Sequence, residues 1–204
     1  MAKIKLTKNE LKKQRDALKM FQRYLPTLQL KKQQLQLEII KIHKKLHEAE
    51  DEIENFKKDV DEWVAVFAEP VNIAGLIRVE KIRTRVGNIA GTNIPVLDGI
   101  DFREHEYSFF DFPLWVDYGL EAVKKMILLK VSCHVLEEQD KAVKEELRIT
   151  NQRVNLFEKV KIPQTRENIK KIQVYLGDMQ TAAVVIGKIA KEKIEAKTEA
   201  MAGV

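Results

Sequence analysis

Stepping by seven from Leu11 gives Leu18, Leu25, Lys32, Ile39, Leu46, Ile53, Val60 and Phe67; stepping from Phe21 gives Leu28, Leu35, Ile42, Ala49, Phe56 and Trp63. These are the a and d positions of one heptad register, in which only Gln14 and Lys32 are polar. A seven-residue apolar repeat keeps its stripe against a partner helix only if the helices supercoil left-handedly, so it predicts a coiled coil. At about 1.5 Å per residue, residues 8–67 would span roughly 90 Å. Pro26 interrupts the run without breaking the heptad and predicts a kink.

The C-terminal part repeats the pattern. One register runs Met126, Cys133, Asp140, Leu147, Val154 with Leu129, Leu136, Val143, Thr150, Phe157. A second runs Ile162, Ile169, Leu176, Ala183, Ala190 with Ile172, Met179, Ile186. The two differ by one residue, and the slip falls at Lys161-Ile162-Pro163. Proline removes a backbone donor and crowds the preceding turn, so a local unwinding should re-phase the stripe there. A turn that loses its internal partner also suits contact with another element.

Between the two patterns, residues 70–119 hold three of the five prolines and five of the eight glycines. "LIRVEKIRTRV" (76–86) alternates apolar and charged residues, "GNIAG" (87–91) reads as a turn, and "TNIPVLDGIDF" (92–102) gives a second extended stretch. This predicts a hairpin-like insert. "YSFFDFPLWVDYG" (107–119) packs six aromatics into thirteen residues, which fits either a small core capping the coil or a partner-binding patch. The expected architecture is mainly α: a coiled-coil helix over 1–69, a hairpin-containing insert over 70–119 and a second coiled-coil helix over 120–204. The simplest assembly is an antiparallel two-helix coil, in one structural unit, with both termini at one end.

Charge supports that arrangement. Residues 1–45 carry 13 Lys and Arg against 3 Asp and Glu, residues 46–142 carry 11 against 20, and residues 159–204 carry 9 against 5. If the ends meet, the molecule has a basic pole and an acidic one. Lys12, Lys13, Arg15, Lys19, Lys191, Lys193 and Lys197 would form the basic tip.

Several function classes fit poorly. The N-terminus has no apolar signal region, and no apolar run approaches the roughly 18 residues that span a bilayer, so the chain reads as soluble and cytosolic. "GNIAG" lacks the lysine and hydroxyl of a phosphate loop. His43 and His47 are spaced as two ligands on a helix, but they fall at e and b positions with no third ligand nearby in sequence. Cys133, the only cysteine, falls at an a position and reads as a buried thiol. His105 and His134 lack triad partners, and the acidic run at 51–54 reads as a solvated helix face. No catalytic, metal or cofactor site is expected.

The residues resemble a known family. "RVNLFEKVKIP" (153–163) is similar to a stretch of the D subunit of V-type (A/V-type) rotary ATPases, through Arg153, Val154, Asn155, Glu158, Val160, Ile162 and Pro163. "GNIAGTNIP" resembles that family's insert turn through Asn88, Ile89, Gly91, Ile94 and Pro95. Many members have a Gly-His and a Lys-Arg-Asp-Glu run where this chain reads "YLPTLQLKKQQL" (24–35), which points to a divergent bacterial branch.

The resemblance implies a central rotor shaft turned by ATP hydrolysis or synthesis in a catalytic head of A and B subunits and coupled to ion translocation. It implies two further partners: the F subunit of the central stalk and the funnel-shaped C/d subunit leading to the membrane ring. The basic tip would face the head, and the 153–163 motif would be a stalk-partner contact, with the insert and the coil near 130–160 as the expected face for the F subunit. No nucleic acid or direct membrane insertion is implied, and the shaft would lie in the cytoplasm, peripheral to the membrane. Two other readings remain at this point. A prefoldin-like chaperone also joins two coiled helices through hairpin sequence, although this chain is long for one. A nucleic-acid binder would suit the basic pI, but no stacking aromatics interleave with the basic residues.

Overall fold

The computed structural model describes residues 4–63, 65, 69, 71, 73–105 and 112–202. In order, the elements are α1 (Lys8–Asp61), the single turn α2 (Ile73–Leu76), β1 (Ile77–Ile89), β2 (Thr92–Glu104), α3 (Trp115–Asn155), a π-helical turn (Leu156–Lys161) and α4 (Ile162–Ala202). The protein is thus mainly helical, with a two-stranded antiparallel hairpin between its N- and C-terminal helices. It divides into two compact units, Met1–Gln29 with Gln152–Val204, and Leu30–Asn151.

Thr7 starts α1: its hydroxyl accepts from Glu10 N at 3.3 Å and its carbonyl from Leu11 N at 3.0 Å, which satisfies two orphan donors of the first turn. The helix runs on through Pro26, which is exposed.

Within the Leu30–Asn151 unit, α1 and α3 pair antiparallel. Lys31 Nζ donates to Glu146 at 2.6 Å, His43 lies 3.0 Å from Asp140, and Lys125 sits 4.6 Å over the Phe56 ring. Partner numbers fall on α3 as they rise on α1. Leu35 and Ile42 of α1 and Val143 of α3, all from the predicted stripes, form the core with Ile94 of β2. Every described a or d position named above for α1 and α3 is buried or half-buried; Phe67 lies outside the described residues.

The hairpin lies against this pair. Strand pairing runs from Ile77↔Glu104 to Ile89↔Thr92, so the loop is only Ala90-Gly91. Both loop residues have positive φ, 49° and 81°, as a type I′ turn needs to match the twist of its strands. The turn is tighter than the five-residue "GNIAG" reading because Gly87, Asn88 and Ile89 still pair with β2. Pro95 offers no N–H, and its carbonyl accepts instead from Gln139 Nε2 of α3 at 2.6 Å, tying β2 to the helix. A second core of Leu76, Ile77, Val116 and Leu120 packs the hairpin base against the start of α3, with Phe112 and Trp115 alongside. These two therefore fit the capping-core reading of the aromatic segment; Tyr107, Phe109 and Phe110 lie outside the described residues.

Within the other unit, the same antiparallel sense holds. Asn168 Nδ2 donates to Gln14 at 3.4 Å, and Phe21 meets Phe157 at 5.0 Å between ring centroids. Counting back six residues from Gln14, the start of α1 at Lys8 falls opposite about residue 174. Burial agrees: Ile172 is fully buried, Leu176 half-buried, and every described residue from 177 to 198 exposed.

This corrects one expectation. Met179, Ala183, Ile186 and Ala190 continue the heptad but meet no partner helix among the described residues, because α1 starts only at Lys8. The segment stays helical on its own resources, Ala, Lys and Glu in number and an i, i+4 pair between Lys191 and Glu195 at 3.6 Å.

Candidate functional site

An α-helix joins the N–H of each residue to the carbonyl four before it; a π-turn joins it to the carbonyl five before, and so takes up one extra residue. The N–H of Ile162 donates to the carbonyl of Phe157, five residues earlier. The seam positions flanking the slip are those two, spaced by five where an unbroken heptad has four. The π-turn therefore places Ile162, 8% exposed, in the seam directly above Phe157. With continuous α geometry the seam would receive Lys161 instead, and burying its ammonium without a partner is costly.

Proline contributes to this choice. Pro163 has no N–H, so the carbonyl of Lys159, four residues earlier, receives no bond from that position. Proline thereby lowers what α continuity is worth at this turn. Thr165 follows as the next buried seam residue, and its hydroxyl donates to the carbonyl of Lys161 at 2.6 Å.

The seven motif residues divide by face. Val154 (5% exposed) and Ile162 are core, and Asn155 is half-buried. Arg153, Glu158, Val160 and Pro163 are exposed. Leu156 and Val160 together leave an apolar strip on the outer surface of the π-turn, flanked by Arg153, Glu158 and Lys159. Leu156 and Thr165 were not among the sequence-derived candidates, although the register slip itself pointed to this turn.

The insert residues have structural duties. Asn88 Oδ1 accepts from Gly91 N at 3.0 Å and fixes the loop, while Asn88 Nδ2 donates to Asn93 at 3.3 Å. Gly91 supplies the positive φ, and Pro95 the carbonyl for Gln139.

The basic candidates are all exposed, but they form two groups rather than one. Lys12, Lys13, Arg15 and Lys19 flank the paired stretch. Lys191, Lys193 and Lys197 lie on the unpaired part of α4; Asn168, opposite Gln14, is 23 residues before Lys191, or about 35 Å along the helix. The unpaired segment also presents Val184 (72% exposed), Ile186 (66%) and Ile194 (66%) to solvent. An apolar surface of that kind on a charged helix marks an interaction face.

Other candidate groups carry less. The ring of His43 faces Asp140, which also binds Lys144 at 2.5 Å, and His47 faces Asp51 at 3.7 Å. Among the described residues no cluster of three His, Cys, Asp or Glu could hold a metal ion. Cys133 is half-buried, and burial, with Glu50, Glu137 and Glu52 nearby, pushes its thiol pKa up, away from nucleophile chemistry. No helix among the described residues is long and apolar enough to cross a membrane.

Comparison with known proteins follows the same lines. The family model for the ATP synthase D subunit matches residues 10–192. The V-type ATP synthase D subunit of Borreliella burgdorferi is 49% identical over 194 residues, covering 95% of this chain and 96% of the relative. Those of Chlamydia caviae and Chlamydia pneumoniae are 34% and 35% identical, covering 97% and 94% of this chain and 97% and 93% of the relatives. The prefoldin-like reading finds no support here. The match runs through the first helix, the hairpin, the π-turn and most of α4, and the chain belongs to the ATP synthase D-subunit family.

Proposed function

We propose that this chain is the central rotor shaft of a V-type ATP synthase, coupling ATP turnover in a head of A and B subunits to ion movement through a membrane ring. The observation that carries the reading, beside family membership, is the unpaired half of α4. It offers about 33 Å of exposed helix over residues 177–198, mixing apolar and basic side chains. A shaft turning in a bearing needs many weak contacts rather than one deep site, and this surface supplies them. The shaft hydrolyses no nucleotide itself; the sequence has no phosphate loop to hold one. It works in the cytoplasm, reaching the membrane through the smaller F subunit of the stalk and the funnel-shaped C/d subunit. The outward Arg153, Leu156, Glu158 and Val160 of the π-turn suit the F subunit, because they combine exposed apolar area with charges of both signs.

The test is to pin the shaft. With Cys133→Ser as background, Lys191→Cys or Lys197→Cys is disulfide-linked to a cysteine in the inner wall of the head. Sustained ATP hydrolysis by the complex should stop and return on reduction. Full hydrolysis with the link formed quantitatively would overturn the rotor reading. Swivelling of the last turns is controlled by a link at Lys170, an exposed residue in the paired stretch.

A further inference from the structure

The hairpin has two outer edges, and among the described residues they differ. On β2, Pro95 offers no donor and its carbonyl is taken by Gln139 of α3. On β1, every residue from Arg78 to Val86 is exposed, in a strand of thirteen residues without proline. Among the described residues its backbone pairs with β2 on one side only, in a sheet of two strands. A long edge of this kind is a template for another strand, which bulges, proline or charge restrict; basic charge on the edge turns away a like-charged strand but not an acidic one. Here the bulge at Glu80 lies near the hairpin base. The second irregularity skips Asp98 on β2, so β1 is unbulged from Lys81 to Ile89.

Side chains along that edge select the partner. β1 carries Arg78, Lys81, Arg83 and Arg85 against Glu80 alone. Arg78 stands directly opposite Arg103, a like-charge pair that an added acid would relieve. Of the three acids on β2, Asp98 is exposed at the irregularity, Asp101 pairs with Arg83 at 3.1 Å and Glu104 with Lys124 at 2.6 Å, which leaves Arg78, Lys81 and Arg85 as the basic residues of β1 outside these pairs. Among these charges Val79, Ile82 and Val86 are 42%, 44% and 77% exposed. Two copies of the chain pairing β1 to β1 would oppose basic strand to basic strand, which disfavours a self-dimer.

We infer that the outer edge of β1 is a docking surface for an acidic, extended segment of a partner chain, which joins the hairpin as a third strand. Main-chain hydrogen bonds give such addition its affinity and the alternating side chains its selectivity. This surface is independent of the shaft role and of the unpaired part of α4.

The test uses the full chain and two nine-residue peptides that alternate valine or threonine with glutamate or with lysine. Hydrogen exchange read by mass spectrometry should show the glutamate peptide slowing amides within residues 77–89 about tenfold at saturation, and the lysine peptide leaving them unchanged. N-methylation along both peptide edges should abolish the effect, because it removes strand donors and leaves charge intact. The double variant Arg78→Glu, Arg85→Glu changes two exposed residues and should reverse the preference toward the lysine peptide. The proposal is overturned if millimolar glutamate peptide gives no protection in β1. It is equally overturned if both peptides protect alike, or if the N-methylated peptide protects as well as the parent.

Discussion

Deleting Lys161 should remove the π-turn and leave the coil intact. Without it, Phe157 and the isoleucine now at 162 would be four apart, the spacing a continuous α-helix places one turn above the other. Thr165, Ile169, Ile172 and Leu176 would follow in phase, so every buried seam residue beyond the turn keeps its place. The lost residue has an exposed side chain; its carbonyl accepts from the Thr165 hydroxyl, and after the deletion the carbonyl of Val160 stands four residues before that threonine and can accept instead. With Pro163→Ala in the background, because a proline inside a continuous α-helix would itself cost about 3 kcal/mol, the expected change in unfolding free energy is within about 1 kcal/mol, the range of a surface change. The matched control deletes Lys170, also exposed but with no π-turn beside it to absorb the loss. There the rest of α4 would turn by about 100° against α1. Ile172, fully buried, and half-buried Leu176 would leave the seam, at about 2–5 kcal/mol for the isoleucine alone. Urea unfolding of both variants, followed by far-ultraviolet circular dichroism, separates the cases. If deletion of Lys161 destabilises as much as deletion of Lys170, the π-turn is not a one-residue insertion accommodated by the seam, and the re-phasing argument fails. If the Lys161 deletion folds normally but no longer assembles with the F subunit, the outer surface of the π-turn is what the partner needs.

In the core of the hairpin-bearing unit, Leu35→Ala should cost about 2–5 kcal/mol in the same unfolding assay, while Leu37→Ala, 59% exposed, should cost little. At the loop, Ala90→Gly should stabilise by about 0.5–1 kcal/mol, since Ala90 holds φ 49°, and Gly91→Ala should destabilise by about 1 kcal/mol for the same reason; thermal melts of the two variants check the signs. Because the Cys133 thiol is raised in the folded state, its alkylation near neutral pH should be slower in native than in urea-unfolded protein. The sign for stability follows: the contribution is complete below the unfolded thiol pKa and fades as pH rises through the folded one, so unfolding midpoints should fall on the alkaline side.

Much of this was legible in the residues because burial in a helix pair leaves a seven-residue trace. Leu35, Val143, Thr150 and Ile172 are the most covered stripe residues, and each stood in a predicted register. The slip at 161–163 was legible as a break in phase, but its geometry was not: a count shows that one residue is extra, whereas the bond from Ile162 to Phe157 shows how the backbone spends it. Two features left no trace of that kind. The heptad continues through Met179, Ile186 and Ala190, so periodicity alone could not reveal that α1 starts too late to meet them. Likewise nothing in "TNIPVL" says that Gln139, 44 residues away, will take the carbonyl of Pro95. Such contacts depend on where whole elements stop, which pattern within one element does not encode.

The unpaired part of α4 and the π-turn belong to the same unit, and their order along the chain matters for the proposed role. Torque entering through residues 177–198 arrives on a single helix, which can twist about its own axis. It reaches a partner at half-buried Leu176 and is first held firmly at Ile172, with no exposed surface, and then at Thr165 and Ile162. Those seam residues lock α4 to α1, so rotation of one carries the other. The π-turn lies just beyond that grip, before α3. An α-helix with one extra residue would rotate its stripe by about 100° and release that lock. By absorbing the residue locally, the π-turn keeps Val154 and Ile162 on the same side of the pair and confines the irregular backbone to an outward surface. Seam continuity and an exposed, chemically distinct patch therefore come from one device. That explains why the motif residues alternate between core and surface rather than lining a pocket.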